Sequence, residues 1–178
     1  MAEKSVLKKY KILIFDMDGV LVDVSQSYRL AIKKTVEFFI GRLIDFEQID
    51  RLKIGGGYND DYDCTEAILK NHGKFIPREI IIKKFQEYYI GRQYKGLMNN
   101  EKWLLEKSVL TSLIRKHKLA IFTGRPASEA HNALKNSTTS RFFKAVITAD
   151  DTPNKKPAPD GINMVLSSLK SSSAVYIG

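Results

Sequence analysis

Four short apolar runs punctuate this chain, at residues 12–15, 119–122, 145–148 and 174–177. A continuous apolar run bounded by polar residues is the pattern of a strand buried on both faces, as in a parallel sheet. Segments of helical period separate the later runs, at 107–116, 127–135 and 158–169. Strands alternating with helices predict a parallel α/β sheet joined by right-handed crossovers.

The first strand is set apart from the others by a stretch much longer than one crossover helix. Residues 20–25 read as a turn, and 27–40 as a helix with Leu30, Ala31, Lys34 and Phe38 on one side and Ile32, Val36, Phe39 and Ile40 on another. Gly41 is a fitting helix end. Residues 45–52 follow as a short helix with Asp45 as candidate N-cap, and 62–71 as another. Pro77 suits the first position of a helix reaching residue 90, with Ile80, Ile81, Phe85, Tyr88 and Tyr89 available for burial. The tyrosines and phenylalanines of 62–89 are expected in the core of this helical region. Gly55, Gly56, Gly57, Tyr58, Asn59, Asp60 and Asp61 form a loop too glycine-rich for regular structure. The organisation predicted is an α/β core, 1–23 and 101–178, with a helical cap, 24–100, inserted after the first strand. Trp103 is expected to pack at the hinge.

Composition refines this little. Of 178 residues, 43% are hydrophobic and 28% charged, as in a soluble globular protein. No apolar stretch reaches the roughly 20 residues of a membrane helix, so no membrane partner is expected. The net charge of +9 invites a nucleic-acid reading. However, Lys8, Lys9, Lys33, Lys34, Lys83, Lys84, Lys155 and Lys156 fall in separate elements without interleaved aromatics. A solvated basic surface is the better account, and no nucleic-acid partner is expected. The one cysteine, Cys64, forbids an internal disulfide, which suits a cytoplasmic protein. Cys64 lacks a base partner in the sequence and reads as packing; His72, His117 and His131 lack metal-ligand spacing and read as surface residues.

The candidate chemistry lies where the apolar runs end. The first passes directly into Asp16, Met17, Asp18 and Gly19. Two carboxylates at i and i+2 beyond a strand can turn toward one pocket, with Gly19 allowing the chain to leave sharply. Adjacent carboxylates repel, and a shared cation or proton resolves the repulsion. Magnesium takes one or two carboxylates together with substrate phosphate, and a carboxylate can also attack phosphorus. An EF-hand frame fails, since it would place Val20 at position five and Ser27 at position twelve. At the second run, Thr123-Gly124-Arg125-Pro126 offers a hydroxyl, then amides at a helix start that could face an anion. A third piece, Lys155-Lys156-Pro157-Ala158-Pro159-Asp160, fixes a lysine beside two prolines. Taken singly, the second and third are equally compatible with ordinary turns.

Together and in this order, the three resemble the haloacid dehalogenase superfamily. D-M-D-G-V-L-V-D looks like its first motif, T-G-R-P its second and K-P-A-P-D its third; the helical insertion is like that of the phosphoglycolate phosphatase and β-phosphoglucomutase branch. The resemblance implies a Rossmann-like core and a magnesium-dependent phosphatase acting on a small phosphorylated metabolite, as monomer or homodimer. It implies Asp16 as nucleophile forming an aspartyl-phosphate, Asp18 as acid/base, and both as magnesium ligands. Thr123 and Lys156 would hold the phosphoryl group, with Met17, Gly19, Gly124 and Arg125 around the substrate. Within the cap, Gly56 and Gly57 permit close backbone approach to the phosphate pocket, and a plain connector fits the same glycines equally well. An acid at position 18 favours phosphate esters over halides, because only the former has a leaving oxygen to protonate.

One family element is missing. The fourth motif supplies acids after a strand such as 174–177, and the last helix and strand of the core follow it; the sequence ends at Gly178. Asp150 and Asp151 follow an earlier strand and are not expected to replace those acids. Weak magnesium binding and poor turnover by these 178 residues are the resulting expectation. A phosphomutase sharing the intermediate, or a non-catalytic phosphate-binding protein, are the alternatives.

Overall fold

A computed structural model describes residues 9–55, 58 and 60–178; the loop glycines Gly56 and Gly57 lie outside the described residues. The chain divides into two compact units, Met1–Asp23 with Lys102–Gly178, and Val24–Glu101.

The first unit is built on four parallel strands: β1 (Ile12–Phe15), β4 (Lys118–Phe122), β5 (Phe143–Ile147) and β6 (Val175–Ile177), in the order β5-β4-β1-β6. β1 is central and all four of its residues are buried, as its unbroken apolar run requires. Its register aligns Phe15 with Ile121 on one side and with Ile177 on the other. Strand side chains alternate between faces. Ile12, Ile14, Ala120 and Phe122 therefore share one face, where Val165, Ile162 and Leu166 of helix α7 (Asp160–Ser168) cover them. Helices α5 (Lys107–Leu113) and α6 (Ala127–Ser137) complete the crossovers.

The sheet strands keep close to the predicted runs, but β5 starts two residues early, at Phe143. The expected turn at 20–25 instead contains strand β2 (Val22–Asp23), paired antiparallel with β3 (Lys102–Trp103). Two-residue strands lie below what periodicity can signal, and this one exists because Val22 finds Trp103 far along the chain. Trp103 sends its indole N–H to the Leu105 carbonyl and packs edge-on against Phe143.

The second unit is helical: α1 (Tyr28–Ile40), α2 (Phe46–Ile54), α3 (Asp61–Asn71) and α4 (Arg78–Tyr89). Its core joins Ala31, Ile32 and Val36 of α1 to Ile49, Ile68, Leu69, Ile81, Phe85 and Tyr89. Tyr28 stacks on Tyr89 with ring centroids 4.4 Å apart. Asp60 caps α3, accepting from the amides of Tyr62 and Asp63. Asp45 occupies the N-cap of α2 but makes no side-chain cap bond. Pro77 is the N-cap residue of α4 rather than its first helical residue. The aromatic core is narrower than expected, since Phe75 is 79% exposed, and Ile80 (47%) and Phe38 (53%) also face solvent. Cys64 is fully buried among the apolar side chains of this core.

Candidate active site

The two parallel strands at the centre of the sheet end side by side, and the residues that follow them carry the candidate chemistry. Asp16 directly follows β1, and its amide continues the ladder by donating to the Ile177 carbonyl (2.8 Å). Thr123 directly follows β4, and its amide likewise donates to Ile147 (3.0 Å). Backbone pairing with a neighbouring strand thus fixes both residues. Beyond Asp16 the chain folds into a tight loop in which the Met17 carbonyl accepts from the amides of Val20, Leu21 and Val22. Buried Met17, Leu21 and Val22 anchor this loop. Gly19 adopts φ 75°, a left-handed conformation that favours glycine, and its amide donates to Val22 (2.9 Å).

Each carboxylate meets a cation. Oδ1 of Asp16 lies 2.8 Å from Nζ of Lys156 and also accepts from the Met17 amide (2.7 Å). Oδ1 of Asp18 receives both Nε and Nη2 of Arg125, each at 2.6 Å. The sequence sets Arg125 among the substrate-binding residues; in the structure its guanidinium turns inward onto Asp18, and the residue is 2% exposed. A buried guanidinium requires such a partner, because an unpaired charge there is costly. The Met17 amide likewise donates to Asp16.

Thr123 is fully buried, and its hydroxyl accepts from the Arg125 amide (3.2 Å). The amides expected to face an anion are therefore only partly available. Arg125 uses its own on Thr123, and that of Ala127 donates to Asp150 Oδ2 (2.8 Å). Pro126, the N-cap of α6, has no side-chain acceptor, and Asp150 from the loop after β5 supplies one. Gly124 stays exposed, with open space where a Cβ would stand. Next to Asp150, Asp151 accepts from the Thr148 hydroxyl (2.7 Å) and amide (2.8 Å), which hold its carboxyl below the ordinary value.

Sequence reading missed Tyr176 and Phe122. Nζ of Lys156 lies 2.8 Å from the Tyr176 hydroxyl and sits over the Phe122 ring at 4.7 Å from its centroid. Burial pushes the Tyr176 phenol up; the Lys156 hydrogen bond opposes that rise and the Asp16 charge adds to it. The phenol therefore stays protonated at neutral pH. Only the strand order, which sets β6 against β1, could reveal Tyr176.

The donor chemistry at Asp16 and Asp18 fits a hard divalent cation. Magnesium is held by oxygen ligands and needs only one or two carboxylates when substrate phosphate and water complete its shell. Among the described residues, no group of three or more Asp, Glu, His or Cys side chains gathers around a metal position. No described helix is long and apolar enough to cross a membrane.

An imidazoleglycerol-phosphate dehydratase of Phytophthora nicotianae is 34% identical over 88% of this chain, which covers 36% of that protein. A phosphoglycolate phosphatase of Pseudomonas syringae pv. syringae is 25% identical over 94% of this chain, covering 62% of its own length. The chain therefore spans between about a third and two thirds of these two relatives. Among solved structures, phosphatase Tt82 from Thermococcus thioreducens superposes with a TM-score of 0.73 at 25% identity, over 93% of this chain and 81% of that one. The family model for haloacid dehalogenase-like hydrolases matches residues 13–178, and the chain belongs to that family.

Proposed function

We propose that this chain carries the phosphoryl-transfer site of a phosphatase acting on a small organic phosphate monoester, with Asp16 as nucleophile. The observation that carries the reading is the placement of Asp16. It stands at the carboxyl end of the central strand, where open α/β sheets take their ligands, with the Lys156 ammonium 2.8 Å from its Oδ1.

In this reading, Asp16 attacks phosphorus and the ester oxygen leaves. The phosphoryl group passes to Asp16 as an aspartyl-phosphate, and Asp18 delivers the proton that the departing oxygen needs. Water then attacks the aspartyl-phosphate while Asp18 takes its proton, returning Asp16 and releasing inorganic phosphate. Lys156 neutralises negative charge on the phosphoryl oxygens. Thr123 directly follows the adjacent strand and contributes a hydroxyl at the same end of the sheet. Arg125 orients Asp18 through two donors to one oxygen. Asp16 and Asp18 would hold magnesium, which supplies charge neutralisation at the phosphoryl group when bound.

The helical unit Val24–Glu101 is proposed as the substrate-selecting cap. Two relatives carry small phosphate monoesters in their names, imidazoleglycerol phosphate and phosphoglycolate, and both belong in the first substrate panel. The test is release of inorganic phosphate from that panel by the 178-residue chain with magnesium, with Asp16→Asn as control. Release that disappears in Asp16→Asn supports the reading. Release undiminished in that variant overturns it.

A further inference from the structure

We propose that Tyr176 is a positioning residue of this site: its hydroxyl and ring, with the Phe122 ring, hold the Lys156 ammonium against the Asp16 carboxylate. The proposal rests on the reading of Asp16 and Lys156 given above, but its geometry stands independently of it.

Lys156 enters from the loop between β5 and α7 on a flexible four-carbon stem. Freezing such a stem costs side-chain entropy. The Asp16–Lys156 pair alone does not offset that cost, because both side chains are about a quarter exposed, at 26% and 27%, and partly exposed ion pairs return little. Something else must hold the ammonium, and the structure supplies two further contacts. The Tyr176 hydroxyl accepts from Nζ at 2.8 Å. The ammonium also lies between two aromatic rings, 4.7 Å from the Phe122 centroid and 5.3 Å from that of Tyr176, where ring quadrupoles attract a cation. The phenol hydroxyl has one proton and two lone pairs. Accepting from Lys156 leaves the phenol's own proton for a second acceptor. Asp16 and Tyr176 thus both hold the Lys156 ammonium, each at 2.8 Å.

Two glycines make room for the aromatic walls. A Cβ at Gly161 would stand 2.1 Å from the Phe122 ring, and one at Gly178 would stand 2.6 Å from Cε1 of Tyr176. Neither distance is tolerable, so both rings occupy places that only glycine leaves open. The tyrosine reaches the ammonium because Tyr176 pairs with Ile14, two residues before Asp16, and shares a sheet face with Phe122. The consequence for function is that Lys156 is preset at the nucleophile before any substrate arrives, so less ordering is left for the binding step.

The test reads the lysine directly. The whole 178-residue chain is acetylated with limiting acetic anhydride, and the rates at Lys156 and at its exposed neighbour Lys155 are compared by mass spectrometry. Their ratio cancels any general opening of the fold. In Tyr176→Phe, which keeps the ring and removes the hydroxyl, the Lys156/Lys155 ratio should rise about 2- to 10-fold, the range a lost hydrogen bond implies. Tyr176→Leu should raise it further by removing the ring as well. An unchanged ratio in Tyr176→Phe overturns the proposal. Inorganic phosphate binding, followed by calorimetry on the same proteins, separates the two readings. Failure of the wild-type chain to bind phosphate counts against the phosphatase assignment, while the labelling ratio still decides the role of Tyr176.

Discussion

Arg125 places both Nε and Nη2 within 2.6 Å of a single oxygen of Asp18, and its side chain is 1% exposed while that of Asp18 is 38% exposed. The inner partner is therefore the cation and the outer one the carboxylate. Lysine cannot reproduce two parallel donors. Arg125→Lys should lower kcat/KM for the best phosphate ester at least about tenfold and cost about 1.5–3 kcal/mol of stability, the scale of a charge-assisted hydrogen bond. Phosphate release and urea unfolding measure the two effects. Wild-type values in both would show that the pairing does not matter.

Gly161→Ala tests how tightly the sheet face beneath the site is packed. The added methyl would stand 2.1 Å from the Phe122 ring, itself a buried wall beside Lys156. Overpacking of this kind costs about 1–3 kcal/mol. A clear fall in Tm is expected by differential scanning fluorimetry, and a Tm equal to wild type would show that the face has slack.

Cys64 is fully buried, and desolvation pushes its thiol up to about 11 from an ordinary 9.0. The thiolate is the reactive species. At pH 8, modification by a disulfide reagent should be slow in the folded chain and should accelerate on adding urea. The same shift predicts a pH effect. The raised value contributes stability that is fully present below about 9 and lost as pH rises toward about 11, because only the unfolded thiol ionises in that interval. Cys64→Ser should remove this part of the alkaline decline, which pH-dependent urea midpoints would reveal.

At low pH the informative group is Asp151. The Thr148 hydroxyl, then its amide, hold the Asp151 carboxyl below its usual 3.8. A depressed value contributes stability present above 3.8 and lost as pH falls through the lower folded value. Wild type should therefore outlast Asp151→Asn at neutral pH, with the gap in urea midpoint closing as pH falls below 3.8. A gap independent of pH would show that the carboxylate charge plays no part.

Much of the site is local, and local features are readable. Asp16 and Thr123 are announced because an apolar run and the polar residue that ends it are neighbours in sequence. The same locality explains the errors. β2 escaped because Val22 pairs with Trp103, and no two-residue period predicts a partner so far away. Phe75 and Ile80 were placed inside because side-chain chemistry was read without knowing which face of the helical unit is covered. The Arg125–Asp18 pair is not legible because the sequence does not show that the guanidinium is buried and so must find a carboxylate.

By itself the sequence determined which residues end the strands and which could do chemistry there, because hydrophobic period and carboxylate, hydroxyl and ammonium groups are properties of short segments. Tertiary structure decided which of them meet. Only the order β5-β4-β1-β6 puts Tyr176 beside the Asp16 strand, closes Lys156 between two rings, and turns Asp150 onto the start of α6 rather than toward Asp16. Those contacts join residues twenty or more positions apart, and their energies exist only once the backbone has brought the partners within hydrogen-bonding distance.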